Sequence, residues 1–223
     1  MPEEKVTGLH LSMRALLGII AGLLVAEALK NTVSFVTASP RDPQTWANFL
    51  VALGATIFVT RVVADNILYY GDADIDTIYG DYWTRVLLIL LDLASYSFCY
   101  AIVARFTAVQ YISRGAVRWM ITYATAVEVL HSVWCAVALF CLHIKHAADK
   151  ETREPWLRKW LNVSASWSGV GIVLTGFAWW CHAQLGAEPT SLLLGGGFFT
   201  VSAFAAFTYL RAMKKDYERR RAT

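Results

Sequence analysis

The 223-residue chain is 57% hydrophobic and 17% charged, with a mean hydropathy of +0.44 and a formal net charge of +3. Soluble domains run nearer roughly 45–50% apolar and about 25% charged, so composition argues against an ordinary soluble globule. The apolar residues come in long blocks rather than with helix or strand periodicity, which points to lipid as the solvent, and no nucleic-acid partner is expected.

The N-terminal run MPEEKVTGLHLSMRALLGII carries two glutamates and lacks an A-x-A cleavage pattern downstream. It reads as a retained first span rather than a secretory leader. A membrane helix needs about 20 largely apolar residues. Six blocks meet that need, at residues 14–36, 47–69, 85–105, 119–142, 161–183 and 191–211. The prediction is a single all-α domain: a six-helix transmembrane bundle with short loops. All five prolines lie outside these blocks, as continuous helices require. Trp46, Trp83, Trp119, Trp156, Trp160, Trp179 and Trp180 sit at or near span ends, where interfacial tryptophans collect.

Lysine and arginine set the expected orientation. With the N-terminus inside, fourteen of the 20 basic residues fall on the inner side and four (Arg41, Arg105, Arg114 and Arg118) on the outer side, leaving Lys30 and Arg61 within spans. Both termini are therefore expected in the cytoplasm, and a bacterial inner membrane is the expected location. The basic C-terminal run LRAMKKDYERRRAT suits a stop-and-orient signal beside anionic headgroups.

Ionisable residues at membrane depth are expensive and mark functional sites by default. Counting from the helix ends, Arg61 on span two and Asp92 on span three both lie about 10–12 Å above the inner interface. They form an expected ion pair, with Asp65 four residues from Arg61 as a second partner. An outer set comprises Glu27 and Lys30 on span one, three residues apart, with Glu128 on span four at a similar depth. His131 follows Glu128 at i+3 and is placed to share its hydrogen bond. Asp92, Ser95, Tyr96 and Cys99 share one face of span three; Thr125, Glu128, Ser132 and Cys135 share one face of span four. Span five adds Asn162, Ser164, Ser166 and Ser168. Serine and threonine in such positions more often join helices than line a path; the carboxylates carry the functional expectation.

Metal and cofactor signals are weak. Asp72, Asp74 and Asp76 open a D-x-D-x-D run, but an EF-hand loop needs glycine where Thr77 stands and a carboxylate where Trp83 stands. His143 and His146 could reach one ion, without an evident third ligand. Cys99, Cys135, Cys141 and Cys181 lie in apolar blocks and form no C-x-x-C pair. No cofactor is expected. Gly18 and Gly22 in GIIAG form a G-x-x-x-G contact face, and Gly195, Gly196 and Gly197 permit close packing within span six.

The leading expectation is a small channel or transporter for an ion or proton. Its path would be lined by Asp92 and Glu128, with Arg61, Asp65, His131, Glu27 and Lys30 as supporting groups, and homo-oligomer formation is expected. One rival is a non-catalytic subunit of a larger membrane complex. The other is an embedded enzyme acting on lipid or quinone near the tyrosines between Tyr69 and Tyr82.

Overall fold

The computed structural model describes residues 2–37, 43–70, 82–107, 114–145, 150–184 and 187–221, all of them helical. The helices are α1 (Pro2–Thr37), α2 (Pro43–Tyr70), α3 (Tyr82–Thr107), α4 (Arg114–Lys145), α5 (Lys150–Gln184) and α6 (Ala187–Arg221). Each holds a window long and apolar enough to cross a membrane: Ala15–Ser34, Trp46–Asp65, Val86–Arg105, Gly115–Ile144, Leu157–Gln184 and Leu193–Ala212. Six apolar helices were expected, and six are present among the described residues.

Proline placement explains several boundaries. Pro2 and Pro43 occupy the first helical position, where a missing N–H is not missed. Pro155 lies inside α5 but ahead of its apolar window, so the lost backbone bond falls outside the long apolar segment.

Packing divides the bundle into two triplets. α2 packs chiefly on α6 and α1, whereas α4 packs chiefly on α5 and α3. Small residues set the closest approaches. A Cβ added at Gly54 of α2 would meet Phe199 Cα of α6 at 2.9 Å, and one at Gly195 of α6 would meet Val51 Cγ2 of α2 at 2.8 Å. Both glycines let two helix backbones approach more closely than any larger residue would. Gly171 does the same for α5 against Thr125 of α4. By contrast, added methyls at Gly18 and Gly22 would meet nothing within 4 Å, so the G-x-x-x-G face of α1 points away from the other described residues.

Hydroxyls close the helix contacts. Thr32 of α1 and Thr56 of α2 lie 2.7 Å apart through their hydroxyls, and Thr56 donates to Ala28 O across the interface at 3.1 Å. Ser132 of α4 lies 3.0 Å from both Ser164 and Ser168 of α5, and Ser164 also donates to Glu128 O. At one end of the triplet α3–α4–α5, Trp119 stacks on Tyr123 and meets Trp179 edge to face, and Arg105 donates to the Tyr123 hydroxyl at 3.2 Å.

The apolar core is split. The larger cluster joins α1, α2, one half of α3 and α4, and parts of α5 and α6, including Val59, Ile102, Met120, Val127 and Phe198. A smaller one joins the other halves of α3 to α6 through Leu88, Trp134, Leu142, Leu157, Trp160 and Tyr209. Between them runs a stratum of buried polar side chains.

Candidate functional site

That stratum draws on five helices: Arg61 and Asp65 from α2, Asp92 and Ser95 from α3, Glu128, His131 and Ser132 from α4, Ser164 and Ser168 from α5, and Ser202 from α6. Its position follows from the order of residues along each helix. On α4, Val127 ends the larger cluster and Trp134 begins the smaller; on α3, Leu88 and Tyr96 flank Asp92 and Ser95. The polar residues fill the interval.

Its centre is an ion pair between Arg61 Nη2 and Glu128 Oε1, with side chains only 4% and 7% exposed. The guanidinium is held between two rings, 5.1 Å from the centroid of Phe58 and 4.5 Å from that of Tyr209. Such contacts add attraction through the ring quadrupoles in a desolvated site. Tyr209 therefore brings α6 into the cluster, a partner that hydropathy and spacing do not reveal. Asp65, one turn along from Arg61, is buried and feels the guanidinium charge, as does His131.

The pair leaves polar atoms unsatisfied. Among the described residues, Arg61 Nε and Nη1, Glu128 Oε2 and both ring nitrogens of His131 are buried without a hydrogen-bond partner. Unsatisfied polar atoms are few in folded interiors, and here several gather around one ion pair. Glu128 also lines a cavity of about 40 Å³, together with Phe58, Thr125, Trp167 and Ser202. That volume exceeds the about 10–15 Å³ one water needs, although most of the lining, Ile121, Val170, Leu174 and Phe198 among it, is apolar.

Several expectations need correction. Depth counting assigned Glu128 to a separate set near Glu27, away from Arg61; instead Arg61 meets Glu128. α4 has 32 residues, about 48 Å of helix, well beyond the roughly 30 Å hydrocarbon thickness. Distances counted from Trp119 therefore do not measure depth. The Glu128–His131 hydrogen bond is absent, because both imidazole nitrogens lack partners. Glu27 and Lys30 are paired at 3.4 Å but lie on α1 with side chains 36% and 71% exposed, apart from the buried stratum. The serines of α5 separate as well: Ser164 and Ser168 face inward, while Asn162 and Ser166, two residues out of phase, face outward.

Asp92 is buried at 4% exposure within the stratum, as the span-three face implied. The metal candidates gain no support. Asp72, Asp74, Asp76 and His146 lie outside the described residues. His143 Nε2 sits 3.6 Å from Glu154 of α5, whose other oxygen accepts from Arg158 at 2.6 Å. Among the described residues no group of three potential ligands gathers. The four cysteines are all free thiols.

Comparison with protein-family models, curated proteins and solved structures finds no match for this chain.

Proposed function

We propose that the chain is an integral membrane protein that carries protons across the bilayer, with Glu128 as the exchanging group. The observation that supports this reading is the buried Arg61–Glu128 pair, whose free carboxylate oxygen has no partner and whose Glu128 lines a water-sized cavity. A cavity of about 40 Å³ is too small for an ion with its hydration shell, which favours the proton over a hydrated ion.

The chemistry runs between two states. Ionised Glu128 holds Arg61. A proton arriving through the cavity neutralises the carboxylate, and the guanidinium then turns to Asp65 on its own helix. Loss of the proton restores the first arrangement. Asp92 and His131 lie in the same stratum and extend the relay. In the proposed topology both termini face the cytoplasm of a bacterial inner membrane, as the basic residues favour.

The test is dissipation of an imposed pH gradient by proteoliposomes, read with an entrapped pH-sensitive dye. Wild type should collapse the gradient and Glu128→Gln, reconstituted in equal amount, should not. Equal rates for the two, or no proton movement by the wild type, would refute the reading.

A second reading, a subunit that docks onto a copy of itself or another membrane protein, is favoured by the outward face of Gly18 and Gly22. Small-residue faces of this spacing join helices in lipid. Cross-linking across that face in native membranes separates the two: the subunit reading requires a product, the carrier reading does not.

A further inference from the structure

α1 leans mainly on α2 and touches α3 less extensively, which opens a groove between α1 and α3. Its volume is about 550 Å³, within the roughly 300–1,000 Å³ of small-molecule sites. The lining is mostly aliphatic, with Leu23 and Leu24 from α1 and Leu93 from α3, and carries polar groups at Glu27, Tyr96 and Tyr100. The lining residues on α3 run from Leu93 to Ala104, so the groove extends about 16 Å along that helix.

Glu27 stands out in this setting. Carboxylates in membrane helices normally face the bundle interior or a water-filled cavity. This one lines a groove open on the surface of the bundle, and its neighbour Lys30 does not line it. Lys30 holds the carboxylate at only 3.4 Å to each oxygen, longer than the about 2.7–2.9 Å of a good charge-assisted bond, and its side chain is 71% exposed. A long aliphatic stem lets a lysine swing its ammonium toward the interface. Arg105, just beyond the groove on α3, is engaged by the Tyr123 hydroxyl and ring. The groove therefore offers an apolar slot with an anionic group whose native counter-charge is loosely held.

We propose that the α1–α3 groove is a binding site, entered sideways from the lipid, for a hydrophobic amine whose apolar body lies along Leu23, Leu24 and Leu93 and whose ammonium replaces Lys30 on Glu27. This goes beyond the proton reading and does not rest on it, because the groove shares no residue with the Arg61–Glu128 pair or its cavity. Charge selects the ligand: a neutral amphiphile of the same length fills the slot but leaves Glu27 to Lys30, and an anionic one is repelled.

The test is equilibrium binding of radiolabelled dodecylamine to the purified full chain in neutral detergent, by scintillation proximity, with unlabelled dodecanol and laurate as competitors. Wild type should prefer the amine to the alcohol about ten- to hundredfold, the range of a charged hydrogen bond. Glu27→Gln should abolish that preference and Glu27→Asp should keep part of it. Lys30→Gln should tighten amine binding, since the competing ammonium is gone. Leu93→Trp should weaken amine and alcohol alike by filling the slot. Equal affinity for amine and alcohol in the wild type would overturn the proposal, leaving an unselective apolar slot. So would a preference that survives Glu27→Gln. If Glu27→Gln does not fold, unchanged amine binding in Lys30→Gln overturns the proposal on its own. Glu128→Gln should bind the amine as the wild type does, so loss of proton transport and loss of amine binding are told apart.

Discussion

Removing one member of the Arg61–Glu128 pair should damage the fold far more than removing both. In Glu128→Ala the guanidinium, 4% exposed in the native protein, loses the anion at Nη2 while Nε and Nη1 already lack acceptors. The faces of Phe58 and Tyr209 offset little of that, since a desolvated cation–π contact contributes about 2 kcal/mol. Breaking a buried pair by deleting one partner costs about 3–5 kcal/mol, and Asp65, one turn along, offsets only part of that for the arginine. Arg61→Met should cost a similar amount by stranding the carboxylate, which is 7% exposed. The double variant Arg61→Met, Glu128→Leu replaces both charges with apolar groups of comparable bulk and should return to within about 1–2 kcal/mol of wild type, because well-packed isosteres commonly match a buried pair. Additive single costs would total about 6–10 kcal/mol, so the cycle should reveal a coupling of at least about 4 kcal/mol. Equilibrium unfolding by SDS titration in mixed micelles, followed by circular dichroism, supplies the four stabilities. A single-variant cost below about 1 kcal/mol, or a double variant as unstable as the sum, would refute the argument that the two buried charges depend on each other.

Other substitutions probe the helix contacts. Gly54→Val drives a Cβ to 2.9 Å from a backbone atom of Phe199, which cannot rotate away, and should destabilise by about 1–3 kcal/mol in the same titration. Gly22→Val meets nothing and should leave the stability of the isolated chain within about 0.5 kcal/mol; a large loss would place that face inside the fold. Ser132→Ala removes hydroxyl bonds to Ser164 and Ser168 and should cost about 0.6–1.7 kcal/mol, measured by thermal retention of the monomer on size exclusion. Thr56→Val, nearly isosteric, should loosen α1 from α2 and speed amide exchange in α1 without unfolding α4 and α5.

The helix count was legible because block length and hydropathy depend on local composition alone. The presence of costly charges was legible for the same reason, since Arg61, Asp65, Asp92 and Glu128 stand out against their apolar neighbours. Their pairing was not. It depends on which helices are neighbours and how far each is displaced along its axis. α4 extends past any plausible bilayer thickness, so a residue's distance from Trp119 says little about its level. Tyr209 could not be found by pattern either: a lone tyrosine in an apolar run acquires its role only when α6 lies against α2. A signal was present at Gly54 and Gly195, where small residues in long apolar blocks hint at close helix crossings. The same hint at Gly18 and Gly22 led to an open face, so the spacing alone does not say what a glycine touches.

The order of the helices also gives the central ion pair a history. Glu128 lies 67 residues after Arg61. At a synthesis rate of about 5–20 residues per second, Arg61 is made about 3–13 s before its partner exists. Tyr209, whose ring covers the guanidinium, follows later still. A nascent chain must therefore carry that cation without Glu128 through the making of α3 and the first half of α4. Asp65, emerging four residues after Arg61, is a counter-ion that travels with it and can escort the arginine until Glu128 is made.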